Sequence, residues 1–141
     1  MKLCSLSGKI INRDIKFYRY KRKTEEECRS RWQYRIGNII HDLFPHHIMC
    51  EEFLIDARLR VDYLIPSLRL VIEADGKQHA EFNKFFHGTI EGFEKAKLND
   101  MKKTIWCSMN NLVLVRIKHP IEDRDTILGL IRDAIGGMPD E

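Results

Sequence analysis

Apolar residues recur along this chain with two different periods. Cys28, Trp32, Ile36, Ile39, Ile40 and Leu43 follow one another at three- and four-residue steps, the spacing of one helical face. Thr24 with Glu27 fits a capping box, and the acidic run Glu25–Glu27 suits a helix N-terminus. A first helix is therefore expected from Thr24, stopped by Pro45. Strand patterning follows. His47–Leu54 reads as a strand, and Leu59–Ile65 and Leu68–Asp75 flank Pro66-Ser67, which reads as a hairpin turn. On the second arm Leu70, Ile72 and Ala74 point one way, and Val71, Glu73 and Asp75 the other. The polar stretch 76–89 reads as a loop or lid. The pattern then predicts a long helix from Ile90 to Met109, with Glu91 in its first turn and Asn110-Asn111 at its exit. Phe93, Ala96, Met101 and Ile105 are expected to face the core from it. Leu112–Ile117 reads as a buried strand. Asp125 is a candidate cap for a last helix through Ile135, closed by Gly136-Gly137.

This order (helix, three strands, long helix, strand, helix) describes one α/β domain with a mixed sheet. A chain of 141 residues is long enough for one core and too short for two. No apolar run approaches the roughly 20 residues of a membrane helix, and the start lacks the apolar stretch of a signal peptide. Four widely spaced cysteines do not suggest a disulfide scaffold, so a reduced, cytoplasmic protein is expected.

Charge changes the picture at one end. The chain carries a net +3, but residues 9–23 alone hold +6, through Lys9, Arg13, Lys16, Arg19, Lys21, Arg22 and Lys23 against Asp14. Phe17, Tyr18 and Tyr20 are interleaved with these cations. Cations pair with phosphates and aromatic rings stack on bases, so residues 1–23 are read as a basic arm, and residues 24–141 as the folded domain. Lys16, Arg19, Lys21, Arg22 and Lys23 are its candidate nucleic-acid contacts. A solvated basic tail or strand, or an edge strand or helix in which Ile10, Ile11, Ile15 and Phe17 pack on the core, are the alternatives.

Candidate chemistry sits in residues 60–79. A hairpin centred between Ser67 and Leu68 sets Asp62 opposite Glu73, with Cβ atoms roughly 5 Å apart. Alternation puts Asp75 on the face of Glu73. Like charges so close repel, and a divalent cation is one compensation. Magnesium takes one or two carboxylates plus waters and substrate phosphate, and lowers the pKa of water while orienting a phosphodiester. His79 follows closely and suits proton transfer.

These residues resemble the core of the PD-(D/E)XK nuclease superfamily, in particular its very-short-patch-repair (Vsr)-like branch, which includes phage homing endonucleases. That branch reads L-R-x-D-[FY]-x-[IL]-P followed by [IV]-E-x-[DQ]-G-x-Q-H; here stand LRVDYLIP (59–66) and VIEADGKQH (71–79). Residues 84–117 resemble its linker, long helix with an Asp100-x-x-Lys103 step, Trp106-Cys107 pair and final strand, and residues 30–45 its first helix. The resemblance implies a restriction-endonuclease-like mixed sheet flanked by helices, and a Mg2+- or Mn2+-dependent endonuclease acting on DNA. Asp62, Glu73 and Asp75 would be the metal ligands. His79, oriented by Asp100, would act near the scissile phosphate. The chain departs from the pattern twice. Asp75 stands where the superfamily core has a lysine, and Gln33 stands where many relatives have a glutamate on the first helix. Gln33 is then a polar positioner, or the site is weakened. A nuclease-fold DNA-binding or regulatory protein, and an RNA-directed nuclease, are the rival readings. A homodimer or a recruiting protein partner would supply recognition that so short a chain lacks. The set His46, His47 and Cys50 lacks the paired spacing of a structural zinc site, and Cys107 reads as core.

Overall fold

The computed structural model describes residues 1–18, 22–56, 58–75 and 89–136. Two short strands open it: β1 (Lys2–Cys4) and β2 (Ile10–Asn12), an antiparallel pair turned through Gly8 at φ 88°. A 3-10 turn covers Ile15–Tyr18. Then follow α1 (Arg31–Leu43), β3 (Cys50–Leu54), β4 (Arg60–Ile65), β5 (Leu70–Asp75), α2 (Ile90–Met109), β6 (Val113–Lys118) and α3 (Arg124–Ile135).

The main sheet has the order β3-β4-β5-β6. β4 runs antiparallel to both β3 and β5, and β6 lies parallel to β5. A parallel neighbour requires a crossover, and α2 belongs to it. One face of the sheet presents Tyr63, Ile65, Leu70, Ile72, Ala74, Val115 and Ile117 to Trp32, Ile36 and Ile40 of α1 and to Ile127 and Ile131 of α3. The other face packs Phe53, Val61, Leu64 and Val71 against Trp106 and Cys107 of α2 and Leu3 of β1. The domain is therefore three-layered, a mixed α/β unit with its polar site where the two central strands part.

Helix boundaries differ from the sequence reading at two N-termini. Thr24 and Glu27 do bond, the Thr24 N–H and hydroxyl both donating to Glu27 Oε1 at 3.1 and 3.0 Å, but they close an isolated turn. α1 starts only after Ser30, whose extended backbone ends the preceding segment and whose Oγ accepts from the Gln33 N–H at 3.0 Å. At α3 the cap is Asp123, not Asp125; its carboxylate accepts from both the N–H and the hydroxyl of Thr126, which holds its pKa below the ordinary value. α2 has the expected span, capped by Thr89, but not the expected rotation. Met101 and Ile105 are 59% and 46% exposed, whereas Trp106 and Cys107 are buried.

The first residues are not a free arm. Leu3 is buried in the second core, the Cys4 N–H donates to Asn110 Oδ1 at 2.6 Å, and Asn110 Nδ2 donates back to the Cys4 carbonyl at 3.0 Å. Arg13 lies over the Phe53 ring, 4.4 Å from its centroid. The alternative of an edge strand or helix packed on the core is met only in part, among the described side chains. Ile15 packs against the second core, but Ile10 and Ile11 on β2 are exposed.

Candidate functional site

β4 and β5 pair as Tyr63↔Ile72, Leu64↔Val71 and Ile65↔Leu70, the register expected from Pro66-Ser67. Pro66 opens a 3-10 turn, and Arg69 in a left-handed conformation (φ 51°) completes the reversal. Beyond Tyr63 and Ile72 the strands fork. Arg60 and Val61 pair with β3, while Glu73, Ala74 and Asp75 pair with β6.

Buried backbone groups at a fork still need partners. Two carboxylates supply them. The Asp62 N–H donates to Glu73 Oε2 at 3.0 Å, and the Ala74 N–H donates to Asp62 Oδ2 at 2.8 Å. Side chains thus replace the strand-to-strand bonds where the ladder ends, which locks Asp62 and Glu73 into the crotch of the fork. They are 5% and 3% exposed. Burial, and then the charge and hydrogen bonding of Glu73, push the Asp62 carboxyl well above the ordinary aspartate value; Arg29 and the Ala74 N–H oppose this more weakly.

Two cations face the pair from opposite sides. Arg29 Nη2 donates to Asp62 Oδ1 at 2.9 Å, and its Nε donates to Gln33 Oε1 at 3.0 Å. Lys103 Nζ on α2 lies 2.5 Å from Glu73 Oε1. Gln33 is buried, and its carbonyl accepts from the Tyr63 hydroxyl at 2.8 Å, which ties the start of α1 to β4. Gln33 thus lies beside Arg29 at the edge of the fork.

Asp75 does not join the other two carboxylates. It turns toward Arg116 Nε of β6, 3.6 Å away. Among the described residues no group of three or more His, Cys, Asp or Glu side chains is placed to hold a metal ion. Asp62 and Glu73 are thus bonded into the fork as a pair, while Asp75 lies beside Arg116. Arg116 Nη2 also donates to the Asp100 carbonyl at 3.0 Å and to Thr104 Oγ1 at 3.1 Å, so α2 is moored beside the fork. Asp100 is therefore on the turn of α2 next to Lys103. His79 lies outside the described residues.

Of the expected nucleic-acid contacts, Arg19 and Lys21 also lie outside the described residues. Lys16 is exposed. Arg22 and Lys23 are engaged elsewhere. Arg22 Nη1 pairs with Glu51 at 2.7 Å, its Nη2 donates to Asn38 Oδ1 at 2.8 Å, and Lys23 Nζ pairs with Glu52 at 3.0 Å. Both cations therefore sit against the edge strand β3. Cys50 and Cys107 are buried thiols pushed up to about 12 by burial, and this fits packing rather than nucleophilic chemistry.

Sequence reasoning passed over Arg29 and Arg116 and did not place Lys103 in the site. The four-residue step from Arg29 to Gln33 and the Asp100-x-x-Lys103 step were the available signals for two of them. Arg116, inside an apolar strand, offered none.

The chain is similar to two curated viral proteins. It is 33% identical over 70 residues to uncharacterized protein 307L of Invertebrate iridescent virus 6, which covers 50% of this chain and 36% of that protein. It is 34% identical over 67 residues to uncharacterized protein 033L of Invertebrate iridescent virus 3, covering 48% and 34%. The chain thus spans about a third of the length of the curated relatives it matches. No family model and no solved structure matches it.

Proposed function

We infer that this domain is a metal-dependent endonuclease of the restriction-endonuclease-like, Vsr-like kind, hydrolysing phosphodiester bonds in DNA. The observation that carries the reading is the forked hairpin. Two buried carboxylates from adjacent strands are held against one another at the point where the sheet opens. The order β3-β4-β5-β6, with only the last pair parallel, supports the same reading of the fold.

Asp62 and Glu73 suit a hard divalent cation. Each has one oxygen committed to a backbone N–H and one turned to a side-chain cation, so each retains an oxygen that an ion can take in exchange. Mg2+ commonly binds through one or two carboxylates plus waters and phosphate, so a pair suffices. Such an ion would supply Lewis acidity toward a phosphodiester and a lowered pKa for water. The protein's own groups then have separate tasks. Lys103 keeps positive charge beside Glu73, Gln33 and Arg29 line the α1 side, and Asp100 is carried on α2 to the same end of the sheet. His79, with Asp100, is proposed for proton transfer.

Supercoiled plasmid with Mg2+ or Mn2+ tests this. Wild-type protein should nick or linearise it, and Asp62→Ala should lose activity by at least about a hundredfold, as expected when a principal charge of a metal site is removed. Equal cleavage by both proteins would remove the fork from the chemistry. A second reading, a nuclease-fold DNA-binding or regulatory protein, is favoured by Gln33, whose neutral amide stands where a carboxylate would add metal-binding charge. Under that reading plasmid is bound but left intact. The same assay on single-stranded RNA separates an RNA-directed activity.

A further inference from the structure

We propose that Arg29 is an exchange residue: it occupies the metal-facing oxygen of Asp62 while the site is ion-free, and swings to a DNA phosphate when a divalent cation displaces it. The proposal rests on the endonuclease reading and adds to it an order of events.

The geometry of the two cations is unequal. Lys103 is 12% exposed against a Glu73 that is 3% exposed, so this pair is enclosed. Arg29 is 54% exposed against an Asp62 that is 6% exposed, so one partner is fixed and the other reaches water. Asp62 is fixed through Oδ2, which accepts the Ala74 N–H; Arg29 touches only Oδ1. The guanidinium therefore covers the single Asp62 oxygen that an ion can reach without unmaking the fork.

Arg29 is also placed to move. It precedes the N-cap Ser30, outside the hydrogen-bonded body of α1, so a change in its side chain does not disturb the helix. Among the described residues its other side-chain tie is to Gln33 Oε1, four residues on, which steers the guanidinium without enclosing it. Charge supplies the drive. The two carboxylates and two cations balance locally, and a divalent ion added at Oδ1 repels the guanidinium at close range. A released guanidinium at the rim of an ion-loaded site is a planar, multidentate donor suited to phosphate oxygens. One side chain thus links arrival of the ion to capture of the substrate.

The test reads binding, not cleavage. Wild type, Arg29→Gln and Arg29→Lys are titrated with Mn2+ in the absence of DNA, and free Mn2+ is followed by electron paramagnetic resonance. A half-exposed ion pair is worth at most about 1 kcal/mol, so Arg29→Gln should bind Mn2+ roughly three- to fivefold more tightly, and Arg29→Lys should lie between it and wild type. Affinity for a short DNA duplex is then measured with Ca2+ and with EDTA. Arg29→Gln should lose about tenfold with Ca2+, the size of a charged hydrogen bond to phosphate, and little with EDTA, where Asp62 already engages the arginine. Unchanged Mn2+ affinity in Arg29→Gln, or an equal loss of DNA affinity with and without the cation, would overturn the exchange and leave the endonuclease reading standing. Absence of Mn2+ binding in all three proteins would overturn both.

Discussion

Asp62 is costly to the fold on its own terms. Its carboxyl is raised above the ordinary value of 3.8, first by burial and then by Glu73. For an acid whose folded pKa is raised, stability is full below the unfolded pKa and declines as pH rises toward the folded one, because the unfolded chain releases a proton that the folded chain retains. An amide of the same shape carries no such penalty. Asp62→Asn should therefore melt close to wild type at about pH 4, and progressively above it as pH rises, with both proteins in EDTA. Thermal melts from pH 4 to pH 8 check this. A wild type that gains on the variant as pH rises would show the carboxylate to be stabilised in its ionised form. Added Mg2+ should narrow the difference by raising wild type alone, since an ion that binds only the folded protein stabilises it. The neighbouring Tyr63 phenol is also pushed upward by burial, so it stays a hydrogen-bond donor to Gln33 across this whole range.

At the scale of elements, α1 depends on a position with no side chain. A Cβ at Gly37 would stand 2.7 Å from the Tyr63 hydroxyl and 2.6 Å from Arg22 Nη2. Alanine is the better helix former by about 1 kcal/mol, so Gly37→Ala would stabilise an isolated helix. Here the Tyr63 ring is buried and its hydroxyl is committed to Gln33, so overpacking should win and the variant should lose about 1–3 kcal/mol. Denaturant melts measure it, and a more stable variant would mean that the helix can shift away from β4. The same elements show what the sequence exposes to reading. The register that joins Asp62 to Glu73 was legible because a period of two and a Pro66-Ser67 turn leave one pairing that keeps the apolar faces together. The rotation of α2 was not. Apolar periodicity assigns Met101 and Ile105 to a core, but the sheet beneath that part of α2 presents Glu73, Asp75 and Arg116. The helix therefore turns Lys103 and the Asp100 carbonyl inward and leaves the apolar stripe exposed. The true start of α1 was hidden for a related reason. Thr24 and Glu27 satisfy one another in a turn, while Arg29 is drawn across to Asp62 from a residue far along the chain.

At the scale of the whole molecule, the basic N-terminal segment is built into the folded domain. Leu3 fills the second core, Asn110 clasps Cys4 from the end of α2, and Arg22 neutralises the buried Glu51 on the edge strand. Removing residues 1–23 would open the second face of the sheet and leave Glu51 without its guanidinium. Truncating one buried leucine costs about 2–5 kcal/mol, and a whole domain holds about 5–15, so the shortened protein should melt far below the full chain or aggregate. A truncation is for that reason a poor probe of DNA binding. Lys9 and Lys16 are exposed and lie outside the ion pairs of Arg22 and Lys23. Changing both to alanine should leave the melting temperature within a degree or two, as substitutions at open surface do. If the segment lies along duplex DNA, the double variant should bind more weakly across all sequences. Its logarithmic salt slope should be shallower by about 0.9 for each phosphate that the variant no longer neutralises. A folded double variant with an unchanged slope would leave Lys9 and Lys16 with no part in DNA binding.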